Sequence, residues 1–487
     1  MKRIFKTFAL LAFAAFTAIS CGEKADPENK GISHEEQMRR NAAEKALAYL
    51  KNDIMADYYY WYHDMKNVAY TYQSDIYKFF DALLVPQDRW SWMMDGQDYI
   101  AEESGIVYGT FGVSLAQPYT DNDDYNIYIR FVYPGGPFDK AGVKRGWMIT
   151  KANDIIVPLG SEEDADDFND LFNAPTPNQT VEFTFRDTEG KIIKKSIAAT
   201  ESLNTRPCFK KAIFTSEDYP GLTEPVGYFN YLSFKADEDA NGKSMLDDIT
   251  EPMAYFKENG VKTLIVDLRY NGGGDSRASD LLVSYLAPKS ADGKIYVKRT
   301  HNDKLKSMDA EQKVSCAKDS PEFKSLYFIT GGGSASASEM TLNGLKPLAN
   351  VHHVGEVTYG KPNGMYVFLY PYAAKNQAAY EKGDYSALKY VFLPICFYNA
   401  NGEGTMIPDT GMVPDNERPD DILHDFGPEE DNIAACLYHI VNGNYPELTK
   451  AKVRTSVSGS KGGIKVRLTP EETNENYGLY TVKPDFL

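Results

Sequence analysis

Apolar side chains change their spacing twice along this chain. From about residue 33 to residue 92, Ala43, Leu47, Leu50, Ile54 and Met55 recur every three or four positions, and no proline intervenes before Pro86. That spacing predicts helix. The aromatic run Tyr58-Tyr59-Tyr60-Trp61-Tyr62 reads as the buried side of a small helical domain, with hydroxyls reaching its edge. From about 105 to 202 the period falls to two. Val107, Phe111, Val113 and Leu115, then Ile127, Ile129 and Phe131, then Val181, Phe183 and Phe185 alternate with polar residues and predict short strands.

From about 205 onward strands and helices alternate. Thr263-Leu264-Ile265-Val266-Asp267-Leu268 is a continuous apolar run, the pattern of a strand covered on both faces. The turn Arg269-Tyr270-Asn271-Gly272-Gly273-Gly274 leads from it into a helix predicted to end near Leu286. The unit then recurs. Leu326-Tyr327-Phe328-Ile329-Thr330 predicts a strand, three glycines (331–333) a turn, and a helix follows from Glu339 to about Leu348, after Ser334-Ala335-Ser336-Ala337-Ser338. Two strand–glycine turn–helix units predict an α/β sheet whose reactive groups lie beyond the strand C-terminal ends. The tail beyond about Asn442 holds two possible strands.

Composition narrows the function. At roughly 100–200 residues per domain, 487 residues imply two to four domains. The 52 Lys+Arg against 69 Asp+Glu leave a net charge of −17, which argues against a nucleic-acid partner. Seven His and five Cys fall in no metal-ligating spacing, so neither a metal nor another cofactor is expected. Lys2, Arg3 and Lys6 precede an uncharged apolar run from Thr7 to Ile19, the shape of a secretory signal. The run ends in Ala18-Ile19-Ser20-Cys21, and small residues directly before a cysteine resemble a bacterial lipobox. This implies cleavage before Cys21, acylation of Cys21, and a body tethered by lipid in the cell envelope, facing periplasm or cell surface. No later segment has the ~18 apolar residues of a membrane span.

Glycine turns before helices can cradle phosphates, but neither turn continues into Gly-Lys-Ser/Thr or completes Gly-x-Gly-x-x-Gly. A nucleophile fits better. Ser336 lies where a strand turns into a helix, with alanines on both sides and a helix N-terminus to favour an oxyanion. Its base is His352, His353 or Lys361 on sequence alone. The histidines are adjacent on a predicted strand and point to opposite faces, so at most one reaches the serine. Lys361, in Val357-Thr358-Tyr359-Gly360-Lys361-Pro362-Asn363-Gly364, can lose its charge if buried.

Two resemblances add to this. Tyr108-Gly109-Thr110-Phe111-Gly112-Val113, with Gly135-Gly136-Pro137-Phe138-Asp139-Lys140-Ala141-Gly142 and the strand after Trp147, resembles a PDZ domain. The resemblance implies that a peptide C-terminal carboxylate binds the backbone amides of Gly109, Thr110, Phe111, Gly112 and Val113 while the peptide adds as a strand. Ser334-Ala335-Ser336-Ala337-Ser338-Glu339, then Gly355-Glu356-Val357-Thr358-Tyr359-Gly360-Lys361, resemble the carboxyl-terminal processing (tail-specific) protease family. Asp267-Leu268-Arg269-Tyr270-Asn271-Gly272-Gly273-Gly274 and Gly411-Met412-Val413-Pro414-Asp415 are similar to two further motifs of that family. The resemblance implies Ser336 as nucleophile and Lys361, twenty-five residues on, as general base. It also implies an oxyanion hole from the amides of Ala337 and Gly272 or Gly273, with Arg269 and Asp267 bracing the loop.

Two positions depart from the family. Met365 stands where a lysine-orienting Gln is usual, and Pro347 where an Asp is frequent. Lys361 is then held by Tyr359, Asn363 or a backbone carbonyl. Burial among Tyr359, Val357 and Met365, with no opposing carboxylate in the adjacent motif, should lower its pKa yet leave it well above the ~6.5 of histidine. The resulting reading is a multidomain α/β serine peptidase. It comprises a signal (1–20), a lipid-anchored linker (21–33), a helical domain (34–103), a PDZ-like β domain (104–202), a ClpP/crotonase-like catalytic core (203–441) and a tail (442–487). Its expected partners are protein or peptide substrates and, through Cys21, a membrane. The alternatives are a non-catalytic PDZ-type binding lipoprotein on an inactive core, and a crotonase-like acyl-CoA enzyme, which leaves the PDZ motif and export signal unexplained.

Overall fold

Three of the N-terminal helices begin at a side chain that caps them. Ser33 Oγ accepts from the Glu36 amide at the start of the His34–Tyr49 helix, and Asp75 and Asp95 do the same for Ile76–Leu83 and Gly96–Glu103. The computed structural model describes residues 32–116, 126–159, 162–173, 175–370, 386–447 and 480–482. The leader, Cys21 and most of the tail lie outside the described residues. None of the described helices is long and apolar enough to cross a membrane.

Helix predicted through to residue 92 stops earlier. The first helix continues through a π-helical stretch, Leu50–Met55, into Ala56–Tyr58, and residues 65–75 are irregular. The apolar spacing ends at Met55, and Tyr59 turns inward. Its hydroxyl donates to Asp88 Oδ2 (2.8 Å) and accepts from the Val85 amide (3.1 Å). Leu47, Leu50, Ile54, Tyr59 and Phe80 share one continuous core with Phe229, Leu264, Leu282 and Phe392, so the helices pack onto the α/β part.

Residues of the alternating segment form a sheet in the order Val113–Ala116, Ile127–Val132, Met148–Ala152, Thr180–Arg186, Ile192–Ala198. Ile127, Ile129 and Phe131 are buried and the residues between them less so, as period two requires. The helix Glu162–Asn173 covers one face through Ala165, Phe168 and Leu171. This unit has its own core, and Phe138 sits in its middle, with ring centroids 5.0 Å from Phe183 and 5.7 Å from Phe111 and Phe185.

The main sheet runs Cys208–Phe214, Val226–Tyr231, Thr263–Asp267, Ser325–Thr330, Val351–Gly355, Asn416–Glu417, parallel from the second strand on. Leu264, Val266 and Phe328 face the helices Asp247–Glu258, Ser276–Leu286 and Ala337–Leu345, while Ile265, Tyr327 and Ile329 face Asp431–Asn442. Burial on both faces is why Thr263–Asp267 carries no alternation. The helix expected from Glu339 begins two residues sooner, at Ala337. Beyond residue 447 the described chain holds one strand, Tyr480–Val482, paired between Gly274–Asp275 and Asn363–Tyr366. Both glycine turns thus end at one rim of the main sheet.

The separate cores make a prediction. Phe138→Ala should cost about 3–5 kcal/mol in the 113–198 unit. Urea unfolding should show an early transition for that unit, with the main transition unmoved.

Candidate active site

Three serines occupy the second glycine turn, and two of them are structural. Ser334 Oγ donates to the Leu268 carbonyl (2.7 Å) and accepts from the Gly331 amide (3.0 Å), while Ser338 Oγ donates to the Asn271 carbonyl (2.8 Å). These bonds fasten the second glycine turn to the first. Ser336, between them, is fully buried, and its Oγ has no hydrogen-bond partner among the described residues. Its backbone is held at φ 56°, ψ −112°, a conformation that costs a non-glycine residue roughly 1–3 kcal/mol and concentrates at functional sites. The helix Ala337–Leu345 starts directly after it, so the Ala337 amide has no acceptor within the helix.

The strain is held by Glu339, the last residue of the Ser334–Glu339 motif, to which the family resemblance assigns no role. Its carboxylate is fully buried. Oε2 accepts from the amides of both Ser336 (3.0 Å) and Lys361 (2.8 Å), and Oε1 accepts from the Gly360 amide (2.8 Å) and from Thr358 Oγ1. Burial raises the Glu339 pKa, and the four donors pull the other way. The Ser-x-x-Glu spacing is the sequence signal for half of this arrangement, a capping box at a helix start. The other half, the clasp on a loop twenty residues later, has no local signal.

Lys361 is buried, and burial pushes its pKa down to about 7. Asp88 and Glu339 oppose that drop, two carboxylates that lie outside the adjacent motif. The lysine therefore sits nearer the histidine range than expected. Neither Tyr359 nor Asn363 holds its amine; Nζ faces Met365 Sδ at 3.9 Å, so the residue in place of the usual Gln gives a soft contact. Gly360 must be glycine: its φ is +86°, and a Cβ would stand 2.2 Å from the Asp409 carbonyl oxygen.

The histidines are elsewhere. His353 Nε2 pairs with Thr330 Oγ1 at 2.7 Å, and burial lowers its pKa to about 4. His352 stacks on Tyr327 at 4.5 Å. Arg269 is buried on Asp267, Asp420 and Glu430, and Arg145 from the β unit joins the same cluster through Asp420 (3.1 Å) and the Tyr270 hydroxyl (2.7 Å). The Asp420 carboxyl is held at about 2: its two arginines outweigh the upward push of burial. Among the described residues no group of three His, Cys, Asp or Glu could hold a metal.

Gly273 touches the serine. A Cβ there would lie 2.9 Å from Ser336 Cβ, and its φ is +111°. Its amide donates to Asn271 Oδ1 (2.9 Å). A cavity of about 780 Å³ adjoins this loop, lined by Gly272, Gly273, Gly331 and Tyr359 from the core and by Gly109, Thr110, Phe111 and Val113 from the β unit. Gly112 is not in its wall, and its amide is taken by Thr110 Oγ1 (3.0 Å). The structure therefore brings glycines of both units to one cavity, and Ser336 and Lys361 are buried outside its wall.

Residues 225–390 match the family model described as Peptidase family S41, and residues 52–92 that of the Peptidase S41 N-terminal domain. The chain is similar to carboxyl-terminal-processing peptidase 2, chloroplastic, of Arabidopsis thaliana, at 24 % identity over 335 residues. The match covers 68 % of this chain and 57 % of that protein, so the chain spans little more than half of the relative's length. The fold is similar to the crystal structure of a candidate S41 protease from Bacteroides fragilis NCTC 9343, with a TM-score of 0.64 at 21 % identity. That likeness covers 81 % of this chain and 97 % of the other.

A buried amine whose pKa is lowered on folding leaves a signature in stability. Both folded and unfolded chains bind the proton below about pH 7, where burial of the charge is penalised in full. Between about 7 and 10.5 only the unfolded chain binds it, so stability rises with pH across that window. Lys361→Met should therefore stabilise the protein by a few kcal/mol at pH 6 and by much less at pH 10, measured by urea unfolding at both.

Proposed function

Because the chain carries the domains of peptidase family S41, we propose that it is a serine-type endopeptidase of the carboxyl-terminal processing kind, with Ser336 as nucleophile and Lys361 as general base. The observation that carries this reading is the single Glu339 oxygen that accepts the backbone amides of both residues. A buried amine with a pKa of about 7 is half neutral at physiological pH and can take the Ser336 proton. The Oγ then attacks the scissile carbonyl carbon. The resulting oxyanion is met by the Ala337 amide at the helix N-terminus and by Gly272, or by Gly273 once Asn271 releases its amide. As the tetrahedral intermediate collapses, Lys361 returns the proton to the departing amine, and water repeats the sequence on the acyl-enzyme.

The 104–202 unit acts in this proposal as a PDZ-type presenter. Val113–Ala116 is an edge strand of its sheet among the described residues, where an extended peptide can add. Gly109, Thr110, Phe111 and Val113 would take its C-terminal carboxylate, while Gly112 keeps its amide on Thr110 Oγ1, and the shared cavity leads from there to the glycine loop. Reaching Ser336 requires that loop to shift. The substrates are proteins or peptides of the cell envelope, and a lipid on Cys21 tethers the enzyme there, a reading that rests on the basic n-region and the small residues before Cys21.

Ser336→Ala and Lys361→Ala should each lower peptide hydrolysis about 1,000-fold or more, since members of one catalytic unit fail together. A fluorophosphonate should label the wild type and not Ser336→Ala. His352→Ala and His353→Ala should keep most activity, and kcat/KM should rise with pH through an ionisation near 7 and then level. Near-normal turnover by Lys361→Ala would transfer the base role to another residue. In the full-length Ser336→Ala protein, amidating a substrate peptide's C-terminus should weaken binding about tenfold or more. Equal affinity for acid and amide would remove carboxylate capture from the proposal.

A further inference from the structure

The loop that carries Lys361 is gripped from a second side. Arg89 lies between the Ile76–Leu83 helix and the Trp92–Asp95 strand. Its Nη2 donates to the carbonyls of Tyr359 (3.4 Å), Gly360 (3.0 Å) and Asp409 (2.6 Å), the two residues before the lysine and the one that packs on Gly360. Its guanidinium also lies over the rings of Trp90 (4.9 Å) and Tyr359 (5.0 Å). Asp88, next to it, is rigidly built. Oδ1 accepts from the amides of Trp90 and Ser91 (2.9 Å each), and Oδ2 accepts from the Tyr59 hydroxyl (2.8 Å). The proposed hydrolysis uses neither residue.

We propose that Asp88 and Arg89 are positioning residues for the base: Arg89 fixes the backbone on which Lys361 is mounted, and Asp88 supplies a fixed negative charge toward its amine. The inference rests on the Ser336–Lys361 reading of the site. Met365 Sδ lies 3.9 Å from the amine and pairs in register with Ile395, whose amide donates to Ser91 Oγ, and Asp88 Oδ1 in turn holds the Ser91 amide; the Asp88 and Glu339 carboxylates both favour the ammonium form. Tyr398 lies on the adjacent strand Ile395–Asn401, its phenol pushed up to about 12 by burial and so uncharged at neutral pH. Arg89 and Asp409 complete the loop's surroundings. Asp88 is thus one of two anions that favour the ammonium form, and the one that can be neutralised without unfastening Ser336.

Asp88→Asn keeps an oxygen for the Trp90 and Ser91 amides and removes the charge, together with the Oδ2 acceptor of the Tyr59 hydroxyl. Arg89→Ala removes the clamp and opens the corner to water, while Arg89→Lys restores one donor group. Full-length protein labelled with ¹³Cε-lysine, with the Lys361 resonance assigned by its loss in Lys361→Met, reports the titration of that amine directly. Asp88→Asn should move its midpoint down by about one unit, and Arg89→Ala should move it up by a similar amount. The kcat/KM inflection should move with it. Arg89→Ala should also lose about tenfold or more in kcat/KM at pH 7, with partial recovery in Arg89→Lys. A Lys361 midpoint unmoved in folded Asp88→Asn would overturn the proposal, because a purely structural aspartate does not set that midpoint. Shifted midpoints in a protein that cleaves no peptide in any form would leave the positioning role standing and refute the peptidase reading instead.

Discussion

A single buried carboxylate oxygen fixes the chemistry of this chain. Glu339 Oε2 binds the amide of Ser336, which sits in a strained backbone conformation, and the amide of Lys361, twenty-five residues later. Without those bonds, the serine turn has no local reason to stay strained and the lysine loop has no fixed place beside it. The rest of the core serves this contact. Parallel strands deliver the two glycine turns to one rim, Ser334 and Ser338 lock the turns together, and the turn glycines admit backbone where a Cβ would clash.

Dryness is the second condition. A lysine works as a base near neutrality only where its ammonium form is poorly solvated, and the enclosure of Lys361 comes from several parts of the chain. Met365 Sδ lies 3.9 Å from the amine, Glu339 holds the Lys361 backbone amide, and Arg89 of the N-terminal segment grips the Gly360 carbonyl. That segment has no core of its own: Leu47, Tyr59 and Phe80 pack directly on the α/β part. The environment of the base therefore depends on the docking of helices that are remote in sequence.

Period-two alternation exposed the β unit, and the unbroken apolar run at Thr263 exposed the central strand, because both patterns follow directly from how many faces are covered. Ser336 stood out through its small neighbours and the strand-to-helix change. The irregular chain at 65–75 was harder to see, since its helix ends by burial of Tyr59 on Asp88, a tertiary event. Glu339 showed half its role through the capping-box spacing. Arg89 showed none, as the three backbone carbonyls it grips lie 270 to 320 residues away and any residue could supply them. The pKa of Lys361 is also a tertiary property: burial by distant parts of the chain lowers it to about 7, closer to histidine than the adjacent motif suggests, against the opposing carboxylates of Asp88 and Glu339.

The central claim is that Ser336 and Lys361 form one reacting unit, and the crystal structure of the protein treated with a peptidyl boronate tests it most directly. The account predicts a tetrahedral boron bonded to Ser336 Oγ, with one boron oxygen on the Ala337 amide and an amide of the glycine loop. Lys361 Nζ should then lie about 3 Å from Ser336 Oγ. An adduct in which the amine stays on Met365 while a histidine approaches the serine, or boron bound at any other side chain, would contradict it.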